Sequence, residues 1–210
     1  MTEVLQPAPL LAEWRLLGPS LASLVARGAS LVLIGPPHEP HLPGLMSWGL
    51  RPERLVWVAP ALEAQRLWAI EQALKADALT AVLAWLPQAR PEQLRRLQSC
   101  ASRHAGLLFV FRPLAAAQTA SPAPLRLSLS LDAQQADLRV RVLKRRGASL
   151  NHELTVAVPS AWQRLWGHVL APPIVLPLVP SLVRPASAQP LTPLQESLAK
   201  HGALDRLVAG

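Results

Sequence analysis

The chain has one cysteine, no tyrosine and few acidic residues, 13 Asp and Glu against 21 Lys and Arg. A single thiol, Cys100, excludes an internal disulfide framework and fits a thiol-reducing cytoplasm. Charged side chains make up only 16% of the 210 residues while half are hydrophobic, which excludes a wholly disordered chain. That length suffices for one α/β domain and a tail. A secretory signal is not expected, because Met1-Thr2-Glu3-Val4 has neither a basic region nor a long apolar run after it. The most apolar tail segment, 173–183, is too short and too proline-rich to span a bilayer. The expectation is a soluble, cytoplasmic protein with no membrane partner.

What the chain does have is basic charge. The formal net charge is +8, and nearly all the basic residues are arginine. Arginine suits bidentate contact with phosphate or carboxylate. The surplus favours an acidic partner, either a nucleic acid or an acidic protein face.

Short apolar runs alternate with helical patterns through the first half. Strands are predicted at 2–5, 30–34, 55–58, 80–86 and 106–111. Helices are predicted at 10–27, 62–75 and 91–104, the last with proline in its first turn. Gly18-Pro19 predicts a kink or break in the first of these. Nearly continuous apolar strands in βα alternation predict an α/β fold, a parallel sheet between two helical layers. The period then changes. Segments 125–131, 138–144 and 153–158 alternate polar with apolar, which predicts half-buried antiparallel strands extending the sheet. The domain is therefore placed at 1–158. The remainder, 159–210, reads as a proline-rich flexible tail with a short terminal helix over 194–208.

The order of elements resembles the core of RecA-like recombinases, a three-layer αβα fold. Three stretches sharpen the likeness: Ala81-Val-Leu-Ala-Trp-Leu-Pro87 with Leu94-Arg-Arg-Leu-Gln98, Gly106-Leu-Leu-Phe-Val-Phe-Arg-Pro113, and Leu138-Arg-Val-Arg-Val-Leu-Lys-Arg-Arg-Gly147. Together they resemble the ImuA family, RecA-like accessory proteins of SOS-induced translesion synthesis, over residues 2–158. SulA-type division inhibitors share the Trp-Leu-Pro region and the reduced scaffold. The ImuA resemblance implies a non-catalytic protein whose partners are an ImuB-like Y-family polymerase homologue and an error-prone polymerase. DNA, RecA and a second copy of the chain are further candidate partners. The alternative implied by SulA is an inhibitor that binds FtsZ and blocks its polymerisation.

A RecA-like ATPase needs a glycine-rich loop whose N–H groups wrap phosphate, a lysine on the β/γ-phosphates and a hydroxyl on Mg²⁺. Here the loop is Gln6-Pro7-Ala8-Pro9-Leu10-Leu11-Ala12-Glu13. Gln6 and Leu11 stand where the glycines belong, Ala12 where lysine belongs, and Glu13 where Ser or Thr belongs. Pro7 and Pro9 remove two donors. The two acids such a site uses fall at Pro37 and Ala84. No cofactor, catalytic residue or ATP hydrolysis is expected.

Other constellations are weaker. His38 and His41 lack a third ligand and read as a polar loop. Cys100 and His104 lie four apart on one helix but have no oxyanion hole beside them. Trp14, Trp68 and Trp85 fall on apolar faces and are expected in the core. Trp162 and Trp166, beside the tail, are candidate partner anchors. Arg139, Arg141, Lys144, Arg145 and Arg146 form a basic strand end, a candidate for phosphate contact with DNA or a merely solvated surface. No aromatic is interleaved there to stack on bases. Arg112 opens the segment 112–124, which corresponds to the mobile DNA-binding loop of RecA proteins, and is a further candidate DNA contact.

Overall fold

The computed structural model describes residues 1–7, 12–76, 80–132 and 137–157. The predicted tail, with Trp162 and Trp166, lies outside them, as does Leu11.

Among the described residues, eight strands form one sheet in the order β3-β2-β4-β5-β1-β6-β7-β8. They are β1 (Thr2–Gln6), β2 (Ser30–Ile34), β3 (Leu55–Val58), β4 (Thr80–Trp85), β5 (Leu107–Pro113), β6 (Leu125–Leu131), β7 (Leu138–Lys144) and β8 (Leu154–Val156). The first six are parallel. β7 and β8 add on antiparallel. The helices among the described residues are α1 (Ala12–Ala26), α2 (Leu42–Ser47), α3 (Glu63–Ala76) and α4 (Pro91–Arg103). The fold is mixed α/β, with the predicted parallel sheet and antiparallel extension.

Alternation along each buried strand divides the core in two. Val4, Leu31, Leu33, Leu83 and Phe111 face α1, with Leu17, Leu21 and Val25 packed on them. Val32, Ile34, Val82 and Val110 face the other way, under Ile70 and Leu74 of α3 and Leu94 and Leu97 of α4. Burying one such leucine or isoleucine contributes about 1.5–3 kcal/mol, so strands apolar on both faces are held by both helical layers. The α1 layer continues over the extension, where Leu129, Leu138 and Val140 join its core. On the opposite face, the corresponding positions of the extension are polar: Ser128 pairs in register with Arg141, and Ser130 with Arg139.

Several expectations are corrected. Residue Pro19 does not break α1, which runs through it from Ala12 to Ala26. Gly18 has a packing role: a Cβ there would lie 2.8 Å from the Trp48 ring, so glycine lets that indole rest on the helix. Residues 38–41 form the expected polar loop between strand and helix, and α2 follows it at Leu42. His41 caps it, its Nδ1 accepting from Gly44 N at 3.1 Å. Among the described residues no cluster of three metal-ligating side chains occurs.

Trp68 was expected in the core but is 63% exposed, and Leu62 lies at 62%. The stripe of α3 that meets the sheet is Leu67, Ile70, Ala73 and Leu74, which turns Trp68 outward. Trp85 is buried as expected, and Trp14 packs partly buried against the α1-side core. Segment 112–124 holds a 3-10 turn over Leu114–Gln118, with Ala116 and Ala123 buried, so it packs on the domain. No helix among the described residues is long and apolar enough to cross a membrane.

Candidate functional site

β1 leads to α1 on one face of the sheet, and β4 leads to α4 on the other. Such divergence opens a crevice at the carboxyl ends of the strands, where open α/β sheets bind ligands. Here the crevice has a volume of about 500 Å³. Gln6, Gly35, Trp85 and Arg112, each at or just past a strand end, line it. Trp85 and Phe111 stack within it, ring centroids 4.8 Å apart and planes at 24°.

This is where a RecA-like protein would hold nucleotide, and the local chemistry opposes a polyphosphate. Pro7, Pro36, Pro37, Pro87 and Pro113 line the crevice and offer no N–H. Ala12 and Glu13, in the first turn of α1, are buried. The Gln6 side chain hydrogen-bonds the Glu13 carboxyl. Burial pushes that carboxyl up to about 7, against an ordinary 4.5, and the hydrogen bonds from Gln6 and its own backbone only partly oppose the rise. At the position of a Mg²⁺-binding hydroxyl there is thus a buried acid that resists ionisation. Ala84 is wholly buried under the α3–α4 layer, and Pro37 is exposed at the rim.

Two arginines do reach the crevice. Arg66 of α3 crosses the end of β2, its Nε donating to Pro60 O and its Nη1 to Trp85 O, both at 3.3 Å. Gly35 makes the crossing feasible: its φ is +61°, and a Cβ there would stand 2.7 Å from Arg66 Nε. Arg112 is the second. Its Nη1 donates to Glu3 at 2.8 Å and its Nη2 to Ala89 O at 2.9 Å. Arg126 Nε closes on the other Glu3 oxygen at 2.7 Å. Glu3 is fully buried, and both arginines are nearly so. Arg112 is therefore placed inside the domain, tied to a carboxylate, and does not stand on the surface with the other expected DNA contacts. Neither Glu3 nor Arg126 was singled out in the sequence. The missed signal was a lone acid inside an apolar strand.

A second concavity, about 610 Å³, lies at the end of β7 and in the turn after it. Arg141, Lys144 and Arg145 line it together with Gly147, Ser149 and Asn151. The structure therefore brings three of the expected basic residues to one surface. Lys144 Nζ also donates to Ser121 O at 2.9 Å. Arg139, on the same strand, is paired with Asp132 at 3.1 Å and lies 3.6 Å from Glu153. These carboxylates raise its pKa. Arg146 is exposed, and its charge, after partial burial, lowers the pKa of the Met1 ammonium.

No family model and no curated protein matches the chain. Among solved structures it is similar to SulA from Pseudomonas aeruginosa, at 23% identity and a TM-score of 0.44, over 53% of this chain and 97% of SulA.

Proposed function

We propose that this chain is a non-catalytic accessory protein of SOS-induced, error-prone translesion DNA synthesis. It would position an ImuB-like Y-family polymerase homologue and an error-prone polymerase at damaged DNA. The strand-end crevice supports the non-catalytic half of this reading: a buried Glu13, its pKa raised by burial, and a proline-lined wall stand where phosphate and Mg²⁺ ligands would be needed. The stretches 81–98, 106–113 and 138–147, which resemble ImuA, support the choice of pathway. The basic strand end of Arg141, Lys144 and Arg145 supplies a surface for the phosphate backbone, whose contacts are electrostatic and independent of sequence.

Affinity capture of the tagged protein from DNA-damaged cells, read by mass spectrometry, tests the assignment. Recovery of a Y-family polymerase homologue is the expected result. Recovery of FtsZ in its place would make the chain a division inhibitor and overturn the assignment.

A further inference from the structure

α3 and α4 lie side by side on one face of the sheet, their buried stripes of Ile70, Leu74, Leu94 and Leu97 turned to the strands. Their outer face differs from an ordinary solvated surface. It carries Trp68, 63% exposed, although tryptophan is among the residues that folding covers most. The exposed charges on the two helices are Lys75, Arg95, Arg96 and Arg103 against one acid, Glu92.

Glu71 follows Trp68 by three residues, so the two are neighbours on the surface of α3. Its buried carboxylate holds Arg96 of α4, whose Nη2 donates to Oε2 at 2.8 Å and whose Nε meets the other oxygen. The Arg96 side chain is nevertheless 73% exposed. Fixing a long side chain in one geometry is a cost of association, and here the ion pair has fixed it in advance. Tryptophan and arginine are enriched among the residues that anchor interfaces. One of each stands where α3 meets α4.

Two features specify what covers this face. The first is charge. Glu71 offsets one of the four cations and Glu92 a second, which leaves the face positive. The second is spacing. Arg96 and Arg103 are about 10 Å apart along α4, and a partner helix repeats the same distance between its positions i and i+7. With 14 and 13 residues, the two helices offer a face about 20 Å long, room for about three to four helical turns. A nucleic acid fits less well. Glu71 and Glu92 interrupt the positive charge here, whereas the residues lining the concavity at the end of β7 include no acid.

We infer that the outer face of α3 and α4 docks an acidic, amphipathic helix of a protein partner. An apolar side chain of that helix covers Trp68, and its carboxylates meet Arg96 and Arg103, as in other helix-in-groove complexes. The face shares no residue with the strand-end crevice or with the basic concavity of β7. The inference therefore holds whether or not the chain binds DNA.

The probe is a fluorescent helical peptide of about four turns, with leucines along one stripe and glutamates beside it at positions i and i+7. Its counterpart carries lysine at every glutamate. Anisotropy titration with the full chain is expected to give a dissociation constant below about 100 µM for the acidic peptide. The lysine peptide is expected to bind more weakly by about tenfold or more, and added salt to weaken the acidic one, as for exposed charges. Trp68→Ala is expected to cost the acidic peptide about tenfold or more in affinity, as for an interface anchor, and Arg103→Glu a similar factor. Both positions are exposed, so both variants are expected to unfold at the midpoint of the original chain. If one fails to fold, the other decides. No binding of the acidic peptide, equal binding of the two peptides, or unchanged binding in the folded variants would overturn the inference. So would displacement of the peptide by duplex DNA together with weaker DNA binding in the same variants, which would make the face a nucleic-acid surface. A dimer that Trp68→Ala dissolves would assign the face to a second copy of the chain and overturn it likewise.

Discussion

Glu3 on β1 and Arg126 on β6 face each other in register, the carboxylate 2.7 Å from the guanidinium, with Arg112 bonded to the remaining oxygen at 2.8 Å. Ala89 O and Ala116 O take the outer guanidinium nitrogens. Glu3→Ala strands two guanidiniums in the interior. The expected loss is about 3–5 kcal/mol, the range for breaking a buried ion pair by removing one partner. Chemical denaturation checks it, and a loss below about 1 kcal/mol would mean that water reaches the cluster.

Glu13 makes stability depend on pH in the opposite direction to an ordinary paired carboxylate. Its folded-state value is about 7 against an ordinary 4.5. Below the lower value both states hold the proton, and the neutral carboxyl contributes its full stability. Between the two values the unfolded chain releases the proton and the folded chain retains it, so stability falls as pH rises and levels off above about 7. Full expression of this gap would amount to about 3 kcal/mol. Glu13→Gln, which keeps the shape and removes the titration, is expected to flatten that decline and to raise the unfolding temperature at pH 8. Thermal scans of both proteins from pH 4.5 to 8 provide the check.

Gly18→Ala improves helix propensity and is nevertheless expected to destabilise. The new methyl would enter the Trp48 ring, 2.8 Å away in the present geometry. Overpacking of this kind costs about 1–3 kcal/mol, while the propensity gain is about 1 kcal/mol at most. A lower unfolding temperature together with a changed Trp48 fluorescence environment would bear this out, and a stabilised Gly18→Ala protein would show that the indole moves aside freely.

Arg141, Lys144 and Arg145 line one concavity. Replacing any one with glutamine is expected to weaken DNA binding uniformly across sequences and to lower the slope of log affinity against log salt by about 1. Arg112→Gln should act through stability instead, because its guanidinium is buried on Glu3. Fluorescence anisotropy over a salt series, beside unfolding curves, separates the two behaviours.

Much of the fold was legible because it is written locally. The continuous apolar runs of β2, β4 and β5 and the alternation along β6 and β7 mark one- or two-sided burial before any contact is known. What escaped was set by distant parts of the chain. Arg126 reads as an outward-facing polar residue in an alternating strand. It is buried because β6 pairs with β1, which brings Glu3 opposite it from 123 residues away. Trp68 belongs to a helix with apolar residues on several sides, and only the position of the sheet selects the stripe that is covered. α2 is six residues long and contains proline and glycine, too short for periodicity to reveal. The departures of the loop 6–13 from a phosphate-binding pattern were plain in the sequence. The crevice beside it was not, since Arg66, Trp85 and Phe111 meet only through β2, β4 and β5.

The central claim, a RecA-like scaffold that works by binding and without nucleotide, is tested most directly with purified components. The chain and the Y-family polymerase homologue of its own host are mixed and resolved by size-exclusion chromatography, with and without MgATP. The account predicts one complex of unchanged affinity in both conditions and no ATP turnover when single-stranded DNA is added. A complex that forms only with ATP, or the absence of any complex, would contradict it.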